Sequence, residues 1–333
     1  MIEDFPHRHA AHCESGTMAT LLRTRGWDLS EPMVFGIGGG LFFIHIPFLK
    51  VGGLPLTAYR DAPRIILKNL AKRLGVPMRY ERFRNTADGV RRLDELLDAG
   101  IPVGLQGNIY WLSYFPADMR FQYNGHNFVC YGRRDDHYLL SDPVFETVVT
   151  CSADDLARAR FARGGPFPPK GLIYYPDALP RLPDLEQPVR MAVRDTCRRM
   201  LDVPIPLLGV RGIRYLARRV GKWPSRIGEK HARANLANII RMQEEIGTGG
   251  AGFRFLYAAF LQEAAGILGK DSLQDLSGQL TAIGDRWREF AVLGAQVCRG
   301  RENIEPAYGK LAEIMNDCAA REQHLFTALR SMV

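Results

Sequence analysis

Along this chain the spacing of apolar positions changes character twice. Met18, Ala19, Leu21 and Leu22 form one apolar face of a helix that begins near Cys13 and stops by Gly26. Ala62 to Leu74 repeats Ile65, Ile66, Leu70 and Leu74 at helical spacing and closes on Gly75 and Pro77. Ala87 to Leu97 does the same before Gly100. The period then shortens to that of strands, predicted at Ile101 to Leu105, Tyr110 to Phe115, Phe128 to Tyr131, His137 to Leu140 and Phe145 to Val149. Helices followed by an antiparallel sheet describe an α+β domain. Asp154 to Arg163 reads as a further helix and Leu172 to Tyr175 as an edge strand.

A run through Pro176, Pro180, Pro183 and Pro188 marks a boundary. Beyond it strand signals nearly vanish. Helical patterns occupy Val189 to Leu201, Gly212 to Val220, Gly228 to Ile246, Phe253 to Leu268, Leu273 to Cys298 and Ile304 to Met332, which predicts a helical bundle. The expected organisation is an α+β domain over 1–176, a Pro-rich linker over 177–188 and an all-α domain over 189–333. A chain of 333 residues exceeds what one core usually organises, so two domains are consistent with its length.

Composition narrows the setting. The six cysteines are scattered, with no C-x-x-C pair, and the first residues lack the basic and apolar regions of a signal peptide. No apolar run is long enough to span a bilayer. These features predict a cytoplasmic protein with no membrane partner. The net charge of +8 is concentrated: Arg181 to Arg233 holds thirteen basic and five acidic residues, a surplus equal to that of the whole chain. Arg211, Arg214 and Arg218 fall on one helical stripe, with Arg219, Lys222 and Arg226 close behind. Such a stripe is either a solvated helix face or a docking surface for an acidic partner. Nucleic acid is the rival partner, but no zinc-finger spacing, RNA-recognition signature or clear helix-turn-helix accompanies the charge, and none is expected to bind.

Candidate chemistry starts at His12-Cys13-Glu14-Ser15-Gly16-Thr17. A helix N-terminus presents unpaired N–H donors and partial positive charge, both of which favour a thiolate, so Cys13 is the leading candidate nucleophile. Among eight histidines, His126 leads into a predicted strand and Asp142 closes the next one. If Gly132 opposes Asp136 across the intervening turn, His126 falls directly opposite Asp142, and the carboxylate can hold the imidazole's tautomer and orientation. One residue of slip would put the pair on opposite faces. A nucleophile on a helix N-terminus with its base and acid on a following sheet is the arrangement of papain-like cysteine enzymes.

Four stretches carry a more specific resemblance: His12-Cys-Glu-Ser15, Ser30-Glu-Pro-Met-Val-Phe-Gly-Ile-Gly-Gly-Gly-Leu41, Gly125-His126 and Asp142-Pro143. Together they resemble the butirosin biosynthesis protein H family over about the first half of the chain. The helical half, with Gly247-Thr-Gly-Gly-Ala-Gly-Phe-Arg-Phe-Leu-Tyr257, looks like the helical domain that commonly follows in such proteins. The resemblance implies a papain-like fold and transfer of an acyl group from the phosphopantetheine of an acyl carrier protein, through acyl-Cys13, to a small-molecule amine. It implies no cofactor bound by this chain. Residue by residue it carries over at Cys13, His126 and Asp142. The candidate substrate contacts are His12, Glu14, Phe35, Gly38, Asn127, Arg254 and Tyr257, and the candidate carrier-docking residues are Arg211, Arg214 and Arg218. The aromatic stretch Phe35 to Phe43 is a candidate dry wall for the acyl-enzyme. Papain-like peptidases commonly place a Gln about six residues before the cysteine; here that position is His7, so the second oxyanion donor is unassigned.

Other readings compete. Cys13 alone would more often be an inert core residue, His126 a satisfied buried histidine, and Asp142-Pro143 turn chemistry. His7, His9, His12 and Cys13 are crowded enough for a zinc site, but no distant Cys or His cluster completes a tetrahedral set, and no metal is expected. Gly36 and Gly38 are followed by Leu41 where a dinucleotide fingerprint needs its third glycine, which leaves a tight loop as the simpler reading. A cysteine hydrolase on the same fold, or a catalytically silent carrier-binding module, remains the alternative function.

Overall fold

The computed structural model describes residues 4–333. In chain order its elements are α1 (Cys13–Arg23), α2 (Glu31–Ile37), β1 (Leu41–Val51), β2 (Leu54–Arg60), α3 (Ile65–Leu74), β3 (Met78–Glu81), α4 (Thr86–Asp98), β4 (Val103–Gly107), β5 (His126–Arg134), β6 (His137–Ser141), β7 (Val149–Ser152), α5 (Ala153–Arg160) and β8 (Ile173–Pro176), followed by α6 (Glu186–Leu201), α7 (Gly209–Val220), α8 (Trp223–Ile227), α9 (Glu229–Glu244), α10 (Arg254–Leu268), α11 (Ser272–Cys298) and α12 (Ile304–Ser331). The chain divides into two compact units, Met1–Val34 with Pro63–Pro183, and Phe35–Ala62 with Asp184–Val333.

The first unit is α+β. Its six strands form one antiparallel sheet in the order β3-β8-β4-β5-β6-β7. Strand alternation sends Val103, Leu105, Phe128, Cys130, Tyr138 and Leu140 into one core with Leu93, Leu96 and Leu97 of α4, whose apolar stripe has the helical period seen in the sequence. Asn85 starts α4 by accepting the Asp88 N–H, and Gly75 ends α3 in the left-handed conformation that glycine adopts without strain. Helix α1 packs on β5.

Three expectations change here. Leu172 to Tyr175 is predicted as an edge strand, yet β8 lies inside the sheet between β3 and β4. The true edge, Met78-Arg-Tyr-Glu81, is a four-residue strand with two outward polar residues and gives almost no periodic signal. Tyr110 to Phe115 is no strand. Asn108 accepts the Tyr110 N–H at 2.9 Å and winds Ile109–Trp111 into a 3₁₀ turn, after which Ile109, Leu112 and Phe115 reach the core at every third position rather than every second. The strand expected at Phe145 to Val149 begins only at Val149, as β7.

The second unit is not purely helical. Helices α6 to α12 share it with the hairpin β1–β2, in a segment the linear division assigns to the first domain. The reason lies in the hairpin's apolar face: Phe43 and Tyr59 meet edge to face at 5.4 Å between centroids, and both rings lie against Trp287 of α11, at 6.4 and 5.7 Å. No helix among the described residues is long and apolar enough to cross a membrane.

Candidate active site

The site is built at the N-terminus of α1. His12 has extended backbone and its Nδ1 accepts the Ser15 N–H, so an imidazole takes the N-cap role usually filled by Ser, Thr, Asp or Asn. Cys13 is the first helical residue and is half-buried. The segment preceding it is clamped by a side chain from the start of α2. Half-buried Glu31 accepts the backbone N–H of Ala11 at 2.8 Å and of His12 at 2.7 Å, and the Ser15 hydroxyl at 3.1 Å. Burial raises the Glu31 pKa above the usual carboxylate value, against the pull of these hydrogen bonds.

On the sheet side, β5 starts at His126. The Cys13 thiol donates toward the Gly125 carbonyl at 3.9 Å, and its side chain stands near enough to His126 to raise the imidazole's pKa. His126 Nε2 meets Asp142 Oδ2 at 2.6 Å, both side chains buried. The Asp142 carboxylate also receives the Tyr114 hydroxyl at 2.8 Å and, on its other oxygen, the Val144 N–H at 3.1 Å. Burial disfavours the charged imidazole, but the Asp142 carboxylate, by charge and hydrogen bond, and Cys13 overcome it and push the His126 pKa up to about 10. Phe115 stands edge-on to the His126 ring at 5.3 Å and Phe128 lies at 5.8 Å, which excludes water from the pair.

Two close approaches join the helix to the sheet. The Ala10 N–H donates to the Pro143 carbonyl at 2.7 Å. A methyl group built on Gly16 would lie 2.6 Å from Ala10 Cβ and 2.7 Å from Pro143 Cβ, so only glycine lets α1 approach the Asp142-Pro143 corner this closely. His7 ties the same corner: its Nδ1 pairs with the Ser141 hydroxyl at 2.7 Å and its Nε2 with the Phe145 carbonyl at 3.0 Å. Both ring nitrogens are therefore committed, and His7 is not the missing oxyanion donor.

Cys13, His126 and Asp142 thus stand together, and Asn127 lies beside them. Asn127 is not open to a ligand, however. Its amide donates to the Gly125 carbonyl at 2.9 Å and its oxygen accepts the Tyr174 hydroxyl at 2.9 Å, so it shapes the backbone beside the sulfur. The other candidate substrate contacts have structural duties. His12 is the buried cap described above. Glu14 is buried, and its carboxylate accepts the backbone N–H of Arg64 at 3.0 Å and of Leu67 at 3.5 Å, capping α3. Phe35 is fully buried in the second unit, stacked on Phe253 at 5.0 Å, and Gly38 is a buried turn residue ahead of β1. Arg254 is fully buried there, donating from Nε and one terminal nitrogen to the two Glu322 oxygens, at 2.9 and 3.0 Å, and from the other terminal nitrogen to the Gly252 carbonyl. Tyr257 is buried against Phe260 and Phe326. The Phe35 to Phe43 stretch is therefore helix, turn and strand packed as core within that unit, not a loop forming a wall.

On α7, Arg211 and Arg218 are exposed and Arg214 is half-buried, as a solvated stripe requires. Among the described residues no group of three His, Cys, Asp or Glu side chains could hold a metal ion, and all six cysteines are free. Sequence reasoning misses four residues of this site: Tyr114, Glu31, Gly16 and Tyr174. Tyr114 hides in the run misread as a strand. Glu31 and Gly16 stand in stretches noted for their resemblance, but their partners are not near in sequence.

Two family models match the chain. The one described as Butirosin biosynthesis protein H, N-terminal, matches residues 12–143, and the one described as Domain of unknown function (DUF4872) matches residues 154–329. No curated protein matches it. Among solved structures, a crystal structure described as a C39-like peptidase from Bacillus anthracis aligns at 12% identity over 55% of this chain and 98% of its own, with a TM-score of 0.39.

Proposed function

Starting from a chain that belongs to the DUF4872 family and carries a butirosin-H-like, papain-like N-terminal domain, we propose that it transfers an acyl group from an acyl-carrier-protein thioester to an amine through acyl-Cys13. The observation that carries the reading is the line Cys13, His126, Asp142: the carboxylate holds His126 Nε2 at 2.6 Å, and the Cys13 side chain lies near enough to the same imidazole to raise its pKa.

The steps follow from the groups present. A Cys13 thiolate beside an imidazolium adds to the thioester carbonyl, and the carbon–sulfur bond to the carrier's pantetheine breaks. His126 returns a proton to the departing pantetheine thiolate. The amine then attacks the acyl-Cys13 carbonyl, His126 accepts the proton the amine must lose, and the amide leaves as the sulfur regains its charge. Asp142 keeps Nε2 occupied, so that the other ring nitrogen serves the sulfur in both halves. The backbone N–H of Cys13, at the start of α1, is the first oxyanion donor in this reading, helped by the helix dipole. Exposed Arg211 and Arg218, with Arg214, would receive the acidic carrier.

Incubation with acyl-loaded carrier protein and intact-protein mass spectrometry tests the proposal. The expected result is one acyl increment on the wild type, none on Cys13→Ala, and an amide once an amine is added. Release of free acid whatever amine is supplied would make the protein a hydrolase. No increment, together with unchanged turnover in Cys13→Ala, would end both readings.

A further inference from the structure

In the second unit, the end of α7 and the short α8 enclose a surface cleft of about 310 Å³ lined by Tyr215, Arg218, Arg219, Lys222 and Arg226. Every side chain on this lining carries a donor, four of the five carry full positive charge, and none is a carboxylate. Elsewhere the arginines of this chain are commonly balanced: Arg8 by Asp28, Arg79 by Asp177, Arg92 by Glu81, Arg286 by Asp317 and Arg330 by Asp202. Among the described residues, no carboxylate stands within ion-pair distance of Arg218, Arg219, Lys222 or Arg226.

The surroundings add to the charge. The Arg219 guanidinium lies over the Tyr215 ring at 5.0 Å, which fixes the direction of its fork. Behind the cleft, the buried ring of His45 lies 6.2 Å from Tyr215 and is held neutral by burial and by the charges of Arg219 and Lys50. Favourable charge at a helix C-terminus accounts for Arg218 and Arg219. It accounts for Arg226 in the last turn of α8 as well, but not for Lys222, which stands at the N-terminal end of α8 after the Gly221 corner and closes on the same space.

We infer that this cleft is a binding site for a phosphate ester. Guanidinium forks match phosphate oxygens bidentately, and four clustered cations without counter-ions repel one another unless an anion sits between them. The space exceeds one phosphate group and admits part of the molecule that bears it. The site does not depend on the chemistry assigned to Cys13. If that assignment also holds, the phosphodiester of a phosphopantetheine arm is a ligand of the required kind; if not, a free phosphorylated small molecule is.

Equilibrium titration of the full chain as Cys13→Ala separates the two questions, because no acyl transfer is then possible. The probes are 4′-phosphopantetheine, pantetheine without its phosphate, pyrophosphate and sulfate. Saturable binding of phosphopantetheine is expected, at least tenfold tighter than pantetheine, weakened by salt and lost at least tenfold in Arg219→Gln with Arg226→Gln. Pyrophosphate binding as tightly as phosphopantetheine would support the site while assigning it to free phosphorylated ligands. Equal binding of phosphopantetheine and pantetheine, binding no tighter than sulfate, or binding unchanged in the double variant would each overturn the inference. Far-UV circular dichroism of the variant, altered only at exposed side chains, checks that it is folded.

Discussion

His126 and Asp142 meet on a diagonal of the β5–β6 ladder, and one bulge residue, Tyr131, is what lets them share a face. The turn itself is two residues long, Asp135 and Asp136, with Arg134 paired to His137. Asp135 adopts φ 51°, the left-handed geometry such turns require. Continued without interruption, that register would send His126 and Asp142 to opposite faces. Between Cys130 and Gly132 the ladder slips by one residue, after which Cys130 pairs with Leu140 and Val129 with Ser141. Carried one pair further, Asp142 comes opposite Phe128, with His126 one diagonal step beyond. The direct opposition expected from a Gly132–Asp136 pairing is therefore wrong by two residues, and the shared face survives because two is even.

The pairing makes stability depend on pH. His126 titrates at about 10 in the folded protein against an ordinary value of 6.5, so the pair contributes fully below pH 6.5 and its contribution is lost as pH rises toward 10. Breaking a buried pair costs about 3–5 kcal/mol. Denaturant unfolding of wild type and Asp142→Asn is expected to show its largest gap near pH 6 and a narrowing gap through pH 10. A gap independent of pH would mean that His126 is not charged in the native state.

Tyr114→Phe removes one of the three groups held by the Asp142 carboxylate. The loss of one charge-assisted hydrogen bond corresponds to about 1.5–3 kcal/mol of stability. Turnover is expected to fall several-fold with little change in KM, because Tyr114 acts on the orientation of Asp142 and His126 rather than on substrate. A change confined to KM would point to a direct substrate contact instead.

Gly16→Ala tests the close approach of α1 to the Asp142-Pro143 corner. In an ordinary helix interior this substitution stabilises by about 0.5–1 kcal/mol. Here the added methyl collides with Ala10 and Pro143, and overpacking of this kind costs about 1–3 kcal/mol. The sign of the change in melting temperature decides the matter, and a stabilised variant would show that the corner yields freely.

Arg254→Ala strands Glu322 in the core of the second unit, where Trp287 Nε1 is its remaining partner at 2.8 Å. A loss of about 3–5 kcal/mol is expected. A double change, Arg254→Met with Glu322→Leu, is expected to recover much of it, since removing both charges also removes their desolvation cost. Recovery of stability would separate a core role from a substrate contact, which no apolar pair could replace.

Local physics written in consecutive residues was legible. The start of α1 at Cys13 and the long helices of the second half follow from periodicity, caps and breakers, which act within a few residues. Glu14 and Arg254 show the opposite case: a charged side chain next to a candidate nucleophile, or in a Gly-rich helix entry, looks functional in sequence, whereas its partners are backbone N–H groups fifty residues on and a carboxylate two helices away.

By itself the sequence determined that a cysteine would head a helix and that a histidine and an aspartate would bracket a hairpin. Tertiary structure alone decided that the three meet, because a ladder's register depends on a turn and a bulge whose energies come from packing on both faces. It also decided that the hairpin β1–β2 would pack among helices, since Phe43 and Tyr59 find their aromatic partner in a helix more than two hundred residues later. Period and composition show that a face must be buried; only the folded chain selects what covers it.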